Sequence, residues 1–358
     1  MSELPLLIVK TGALGDVLRT TSILPGLRER FSGASLEWLT APSAVDLLRT
    51  NPLVDRRHVV SAGDARDVER ATAELAARRW SRVLSFDDEE PLCRLVSALD
   101  CERVSGAFLD DAGQRAYSDD TAPWFGMGLL ARDGKEAADR RKLQNRRTHP
   151  ELFASMLGIA PGEPTLVLDD DALAFGREFR ERHGLGERAV LGLNTGAGGR
   201  WPSKQLPIER TVELARRLAA ERGPAGLDVL LLGGRDERER NDAILAGLAA
   251  LPEAAGGALR PIDAGTENSL LEFAALVAQC SLLVSSDSLA MHVAIALRVP
   301  LVAFFAPTSA AEIELYGRGV KVASTSTDAC TYRPDVDTST LTVERLADAA
   351  RSLMPALR

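Results

Sequence analysis

Side chains that could bind a ligand or move a proton are concentrated in one short stretch of the chain. Asp287, Ser288 and His292 follow the apolar residues 282–284 and precede an alanine-rich helical pattern. They therefore belong to a strand-to-helix junction, where unpaired N–H groups and the helix dipole favour anionic ligands. The stretch predicts a phosphate-binding site, and a helix N-cap formed by Ser286, Asp287 or Ser288 explains it equally well.

A second carboxylate, Asp16, follows Gly12 and Gly15 in a loop after the apolar residues 6–9. We expect it to project from the carboxyl edge of a sheet toward an interdomain cleft, where it could act as a general base. A helix N-cap is the alternative. The Gly-x-x-Gly-Asp pattern matches neither a dinucleotide fingerprint nor a P-loop.

Two further residues lie beside glycine-rich turns. Lys204 follows the turn at residues 196–199, and a cation beside flexible backbone N–H groups suits a diphosphate leaving group. An inert surface lysine is the alternative. Glu237 follows Gly233 and Gly234, and it could accept hydrogen bonds from ribose hydroxyls, although a first-turn acid that stabilises a helix is slightly favoured.

The sequence gives little support for nucleophilic or metal-assisted catalysis. The sequence contains no nucleophile elbow and no cysteine with an obvious histidine partner. The acidic residues 87–90 could bind a cation, but a solvated loop is the favoured interpretation, and we expect no metal ion. The basic run at residues 140–147 is favoured as a solvated helix face, with a contact for a phosphorylated or membrane-borne acceptor as the alternative.

Composition limits the class of protein. The chain has 358 residues, 45% of them hydrophobic, which at roughly 150 residues per domain predicts two domains with sizeable cores. The four cysteines have no CxxC spacing and indicate a reducing compartment. A net charge of -8 and a pI near 5.3 argue against nucleic-acid binding. Without a signal peptide or an apolar stretch of ~18 residues, a cytoplasmic location is expected.

The elements that must position these residues follow one pattern twice. Residues 6–9 and 190–194 are short apolar strands, each followed by a glycine-bearing loop and an amphipathic helix, at 17–31 and 208–222. Further strands alternate with helices, at 35–39, 82–85, 228–232, 282–285 and 301–305. This alternation predicts parallel sheets and two Rossmann-like domains, 1–170 and 171–340. The closing segment, 341–358, is predicted to be a helix that packs back on the first domain.

Several motifs occur together and in order. They are Ile8-Val9-Lys10-Thr11-Gly12-Ala13-Leu14-Gly15-Asp16, the run Asn194-Thr195-Gly196-Ala197-Gly198 with Trp201-Pro202-Ser203-Lys204, Leu232-Gly233-Gly234, and Ser286-Asp287-Ser288 followed by Met291-His292. In this the chain resembles the family-9 glycosyltransferases, the ADP-heptose:lipopolysaccharide heptosyltransferases. The matching motifs span nearly the whole chain.

The resemblance implies an α/β GT-B fold, in which two Rossmann-like domains with parallel sheets face an interdomain cleft. It implies inverting, metal-independent transfer of a heptose from ADP-heptose to a hydroxyl of the lipopolysaccharide core or of another glycan, protein or metabolite.

The resemblance also implies which residues form the site. Asp16 would be the catalytic base. The donor would be bound by the second domain, through Thr195, Gly196, Ala197, Lys204, Glu237, Asn268, Asp287, Ser288, Leu289 and His292. The acceptor would be bound by the first, through Gly12, Gly15, Arg19, Arg140, Arg141 and Lys142. The enzyme would contact the inner face of the cytoplasmic membrane peripherally.

The sequence departs from the family pattern at two positions. Leu289 and Arg298 stand where the family commonly has glycine, and a side chain restricts both positive φ and close approach of a phosphate. Two alternatives therefore stay open. One is another nucleotide-sugar enzyme on this scaffold, with a different donor sugar or UDP-sugar 2-epimerase activity. The other is a non-catalytic nucleotide-sugar-binding partner.

Overall fold

The computed structural model describes residues 4–128, 132–199 and 201–353. The chain divides after Val167 into two compact units, close to the predicted boundary at residue 170. Arg200 and the end of the predicted closing helix lie outside the described residues. Within the described part, no helix is long and apolar enough to span a membrane.

The first unit contains a six-stranded sheet in the order β3-β2-β1-β4-β5-β6. Its strands are Leu6–Val9 (β1), Leu36–Thr40 (β2), Arg56–Val59 (β3), Arg82–Ser85 (β4), Val104–Leu109 (β5) and Arg115–Tyr117 (β6). The first five are parallel, and β6 is antiparallel to β5. Every residue of β1 is buried. A continuous apolar strand of this kind is expected where a parallel sheet is covered on both faces.

The helices of this unit are Leu14–Thr20 (α1), Leu24–Arg30 (α2), Ala65–Ala76 (α3), Glu90–Ser97 (α4), Ala122–Phe125 (α5), Lys135–Gln144 (α6) and His149–Leu157 (α7). The single helix predicted over 17–31 is wrong, because α1 and α2 are separated by a 3-10 turn at Thr21–Ile23. Pro25 removes a helical N–H donor, and the Thr21 hydroxyl donates to the Leu18 carbonyl at 2.7 Å. Both effects interrupt a regular helix.

The second unit contains an all-parallel sheet in the order β12-β11-β10-β7-β8-β9. Its strands are Ala189–Asn194 (β7), Leu227–Leu232 (β8), Leu259–Asp263 (β9), Leu282–Ser286 (β10), Leu301–Phe305 (β11) and Gly319–Ala323 (β12). Its helices are Asp170–Arg182 (α8), Ile208–Arg222 (α9), Arg238–Ala249 (α10), Pro252–Ala255 (α11), Leu270–Val277 (α12), Leu289–Ala296 (α13) and Val343–Leu353 (α14). In both sheets the first strand lies between the second and the fourth, as in a Rossmann fold.

The closing helix α14 packs against the core of the second unit, and its predicted packing on the first domain stays a prediction. It contacts α9, β11 and β12, and its apolar residues Leu346, Ala347 and Ala350 are fully buried in the core of the second unit. The spacing of these residues correctly gives a helix with one apolar face. It does not say which core that face completes.

Arg298 shows why glycine is common at its position. It follows α13 with φ 60°, in the left-handed region. An L-residue there is destabilised by about 1–2 kcal/mol, and a β-branched residue is the least tolerated.

Arg298→Gly and Arg298→Val both remove the guanidinium, so the difference between them isolates backbone strain. The glycine variant is expected to have the higher free energy of unfolding by about 1 kcal/mol, after allowing for the greater freedom of glycine in the unfolded chain. Urea unfolding of the two proteins measures this difference. Equal stability would contradict a strained backbone at residue 298.

Candidate active site

Asp16 is the third residue of α1, whose N-cap is Ala13. The prediction that it lies in a loop or forms an N-cap is therefore wrong. The carboxylate belongs to the first helical turn, where the helix dipole favours a negative charge. Its side chain is 35% exposed, and Oδ1 lies 3.0 Å from the guanidinium of Arg19, one turn further along. The carboxylate is thus accessible to solvent and paired with Arg19.

Arg19 ties Asp16 to a group of aromatic side chains. Its guanidinium lies over the ring of Trp124, 5.2 Å from the centroid. Trp124 in turn meets His149 edge-on, and His149 stacks on Phe153 with ring centroids 4.0 Å apart. Only 14% of the Arg19 side chain is exposed, so its contacts in this structure orient Asp16.

A buried ion pair at the same sheet edge was not predicted. Lys10, after β1, donates its ammonium to Asp87, which follows the adjacent strand β4. The other carboxylate oxygen of Asp87 accepts from the Thr11 amide and from the Thr11 hydroxyl, the latter at 2.7 Å. Burial would lower the pKa of Lys10, but the charges of Asp87 and Asp16 outweigh it and raise that pKa above its ordinary value.

The acidic residues 87–90 are only in part the solvated loop that was favoured, since Glu89 and Glu90 are exposed while Asp87 and Asp88 are not. Asp87 is buried, and the carboxylate of Asp88 accepts a hydrogen bond from the Tyr117 hydroxyl at 3.0 Å. Burial raises the pKa of Asp88, and burial together with the charge of Asp87 raises the pKa of Glu89. No group of three or more metal-binding side chains is found among the residues that the structure describes.

In the second unit the structure brings Lys204, Asp287 and His292 together. Asp287 follows β10, and its carboxylate lies 3.3 Å from the Lys204 ammonium and 3.6 Å from Nε2 of His292. Lys204 also donates to the main-chain carbonyl of Asp287. Burial would raise the pKa of Asp287, but Lys204 and His292 outweigh it and hold that pKa far below its ordinary range. Asp287 is thus a fixed anion at neutral pH.

Ser288 occupies the N-cap position of α13, but its side chain caps no helical N–H. Its hydroxyl instead meets the Ser285 hydroxyl at 3.0 Å and accepts from the Asn194 amide at 3.2 Å. Asn194 thereby joins the loop after β7 to the start of α13. Leu289 is the first residue of α13 and has a helical backbone, so this departure from the family pattern needs no positive φ.

Glu237 shapes the glycine-rich turns. Its two carboxylate oxygens accept from the amides of Gly198, at 3.0 Å, and Gly234, at 2.8 Å. The neighbouring Gly196 leaves the space that this carboxylate fills, because a Cβ there would lie 2.4 Å from Oε1. Thr195 is buried and donates to the side chain of Asn241. The structural role that was favoured for Glu237 fits these contacts, since Gly234 is the N-cap of the 3-10 turn Arg235–Glu237, which leads into α10.

One of the predicted donor-binding residues, Asn268, is engaged within its own segment. The amide nitrogen of Asn268 donates to the carbonyls of Ala264 and Gly265, both at 3.0 Å, and so closes the turn after β9. Ala197 lies in the glycine-rich loop between β7 and residue 199.

The basic run does not form one cationic surface. Lys142 is buried and lies 3.6 Å from Asp139, so its predicted acceptor contact is not supported. Arg140 is exposed, and Arg141 pairs with Asp133 on the wall of an open pocket of about 530 Å³ within the first unit.

Comparison with known proteins identifies the family. Residues 113–339, more than half of the chain, match glycosyltransferase family 9 (heptosyltransferase). The chain belongs to this family. The family-9 chain is 25% identical over 316 residues to lipopolysaccharide heptosyltransferase 2 of Salmonella typhimurium, covering 85% of this chain and 83% of that relative. The prediction of a glycosyltransferase is thereby confirmed, and it is favoured over an epimerase or a silent partner.

Solved structures confirm the GT-B fold of this glycosyltransferase. The crystal structure of a family-9 glycosyltransferase from Veillonella parvula matches with a TM-score of 0.77 at 18% identity, covering 99% of this chain and 98% of that one. ADP-heptose lps heptosyltransferase II of E. coli matches with a TM-score of 0.67 at 21% identity, covering 99% of both chains.

Gly196→Ala tests the glycine-rich turns of the glycosyltransferase. The new Cβ would displace the Glu237 carboxylate and break its bond from the Gly198 amide, so the free energy of unfolding is expected to fall by about 1–3 kcal/mol. Urea unfolding measures this change. Gly199→Ala is the matched control, because a Cβ there meets no atom within 4 Å. A Gly196→Ala protein as stable as the control would contradict the close contact of Gly196 with Glu237.

Proposed function

We propose that this glycosyltransferase moves a heptose from ADP-heptose to an acceptor hydroxyl with inversion at the anomeric carbon. The observation that carries the proposal is the arrangement around Asp287, which joins a half-buried lysine, a histidine and the start of α13 beside glycine-rich turns. Such a site offers a cation and backbone N–H donors to a diphosphate and a fixed carboxylate to sugar hydroxyls.

The reaction requires one proton transfer and one exchange of bonds. Asp16 takes the proton of the acceptor hydroxyl, and the oxygen forms a bond to the anomeric carbon. The bond from that carbon to the diphosphate breaks, and ADP leaves with the electron pair. Lys204 and the N–H groups of the first turn of α13 stabilise the added charge, so no metal ion is needed for this step.

The remaining donor contacts follow from the same loops. Thr195, Gly196 and Ala197 lie in the turn after β7, and Glu237 could accept from ribose hydroxyls through the second lone pairs of its oxygens. Asn268 keeps a carbonyl oxygen for the base while its amide nitrogen closes a turn. Leu289 contributes a half-buried apolar side chain beside Ser288.

The acceptor is proposed to be a sugar of the lipopolysaccharide core, since the relative from Salmonella typhimurium is named a lipopolysaccharide heptosyltransferase. It would bind to the first unit beside Gly12, Gly15 and Asp16. Arg140 and Arg141 are proposed to meet its phosphates, since both side chains are exposed whereas Lys142 is buried. A peripheral contact with the inner face of the cytoplasmic membrane would accompany binding of such a glycolipid.

Donor identity is tested by thermal stabilisation with ADP, UDP, GDP, CDP and ADP-heptose. A ligand that binds only the folded protein at a hundredfold excess over Kd stabilises it by about 2.7 kcal/mol. ADP and ADP-heptose are expected to give the largest shifts, and Lys204→Met should weaken them by ten- to a hundredfold in Kd, since it removes a charged donor. Lys321→Met, on β12 of the same unit, is the control. Preferential stabilisation by UDP would overturn the ADP-heptose proposal.

Asp16→Asn tests the base. It keeps the shape of the side chain but cannot accept the proton, so kcat with ADP-heptose and a heptose-deficient lipopolysaccharide is expected to fall by about 10²–10⁴-fold with little change in donor KM. Asp64→Asn, at the N-cap of α3, is the control, because asparagine caps a helix as well as aspartate does. Turnover at the wild-type rate in Asp16→Asn would exclude this residue as the base.

A further inference from the structure

The loop that leads from β1 to α1, the helix of Asp16, is fastened to both neighbouring strands. The Trp38 indole on β2 donates to the Lys10 carbonyl at 3.0 Å, and the Lys10 amide donates to the Leu39 carbonyl. On the other side, the Phe86 amide, just after β4, donates to the Val9 carbonyl. Beyond Lys10, Thr11 donates to Asp87, two residues after β4.

Both carboxylate oxygens of Asp87 accept hydrogen bonds, and the donors belong to two consecutive residues. One oxygen receives the Lys10 ammonium, and the other receives the amide and the hydroxyl of Thr11. The side chain of Asp87 is 4% exposed, so water does not substitute for these donors. At Gly12, the next residue, an added Cβ would meet no atom within 4 Å. The hydrogen bonds of Asp87 with residues 10 and 11 therefore help to fix the approach to α1.

The neighbouring charges show what these hydrogen bonds prevent. Lys10 lies four residues before α1, and Asp16 is in the first turn of that helix. Burial lowers the pKa of Lys10, but the charges of Asp87 and then of Asp16 outweigh it. An unpaired ammonium costs several kcal/mol in the protein interior. When Asp87 is replaced by asparagine, we therefore expect Asp16 to attract the Lys10 ammonium.

We infer that Asp87 is a positioning residue of the transfer reaction, which holds the Lys10 ammonium away from the Asp16 carboxylate and so leaves that carboxylate able to take a proton. The inference rests on the proposed role of Asp16 as the base. A base that gains an ammonium partner has a lower pKa and accepts a proton less readily.

The surroundings of Asp16 are rich in charge. Arg19 pairs with it directly, and Asp88 and Glu89 interact with Lys10 from the segment after β4. The turn Val45–Leu48, which contacts α1, adds the pair of Asp46 with Arg49. None of these groups changes in the variants below, so a shift in the pH profile reports on the Lys10–Asp87 pair.

The test is the pH dependence of kcat/KM, measured with ADP-heptose and a heptose-deficient lipopolysaccharide. Asp87→Asn should move the acidic limb to lower pH by about one unit, because the freed ammonium lowers the pKa of the base, and should reduce kcat about tenfold. Lys10→Met should move the limb in the opposite direction, because only the carboxylate of the pair remains. The double variant should return the limb close to its wild-type position.

Far-UV circular dichroism shows whether each variant is folded. If one single variant fails to fold, the other still tests the inference. A purely structural role would lower kcat or the melting temperature in either variant without moving the limb, and that result would overturn the inference. Asp16→Asn is measured alongside. If it retains wild-type activity, the base assignment is what fails. If it is inactive while the limbs of the other variants stay in place, the role of Asp87 alone is wrong.

Discussion

A lysine–carboxylate pair joins the first and fourth strands of each sheet. In the first unit Lys10 follows β1 and Asp87 follows β4, and in the second Lys204 lies in the loop after β7 while Asp287 directly follows β10. The paired strands are adjacent in both sheets. The first pair is buried, and the second is mostly shielded, with side chains 12% and 17% exposed. Removing one partner of either pair leaves a poorly solvated charge without compensation. Each pair therefore locks together two loops that are far apart in the sequence, and the chemical groups of each unit are attached to those loops.

The two sheet edges differ in what surrounds the pair. In the first unit, carboxylates accumulate at the edge, and burial raises the pKa of Asp88 and Glu89. In the second, glycine turns and the start of a helix supply N–H groups, and Asp287 stays ionised between Lys204 and His292. The first environment suits the uptake of a proton and the second the stabilisation of a departing anion. Such a division fits a transferase that deprotonates one substrate and releases a diphosphate from the other.

Much of the fold could be predicted because its signals are local. The strands at residues 82–85 and 301–305 and the helix at 208–222 have the predicted bounds, since apolar periodicity and the flanking turn residues specify them. The break between α1 and α2 was missed, although Pro25 is a visible interruption. The core of the second unit as a partner of α14 was not predicted, because an apolar face identifies no partner. Within the site, the grouping of Asp287, Ser288 and His292 was visible as a sequence motif. The contact of Arg19 with Trp124 could not be predicted, because the two residues are far apart in the sequence and belong to no common motif.

The sequence by itself determined the alternation of strands and helices, the glycine-bearing loops and the family to which they belong. Tertiary structure decided which charged groups meet. Lys10 and Asp87 are 77 residues apart, and Lys204 and Asp287 are 83 apart. Patterning along a chain shows that a segment is buried but not which strand will pair with it, and only the strand order places one loop beside another. Once that order exists, each lysine pairs with its carboxylate, because an unpaired charge inside the protein has a high free energy.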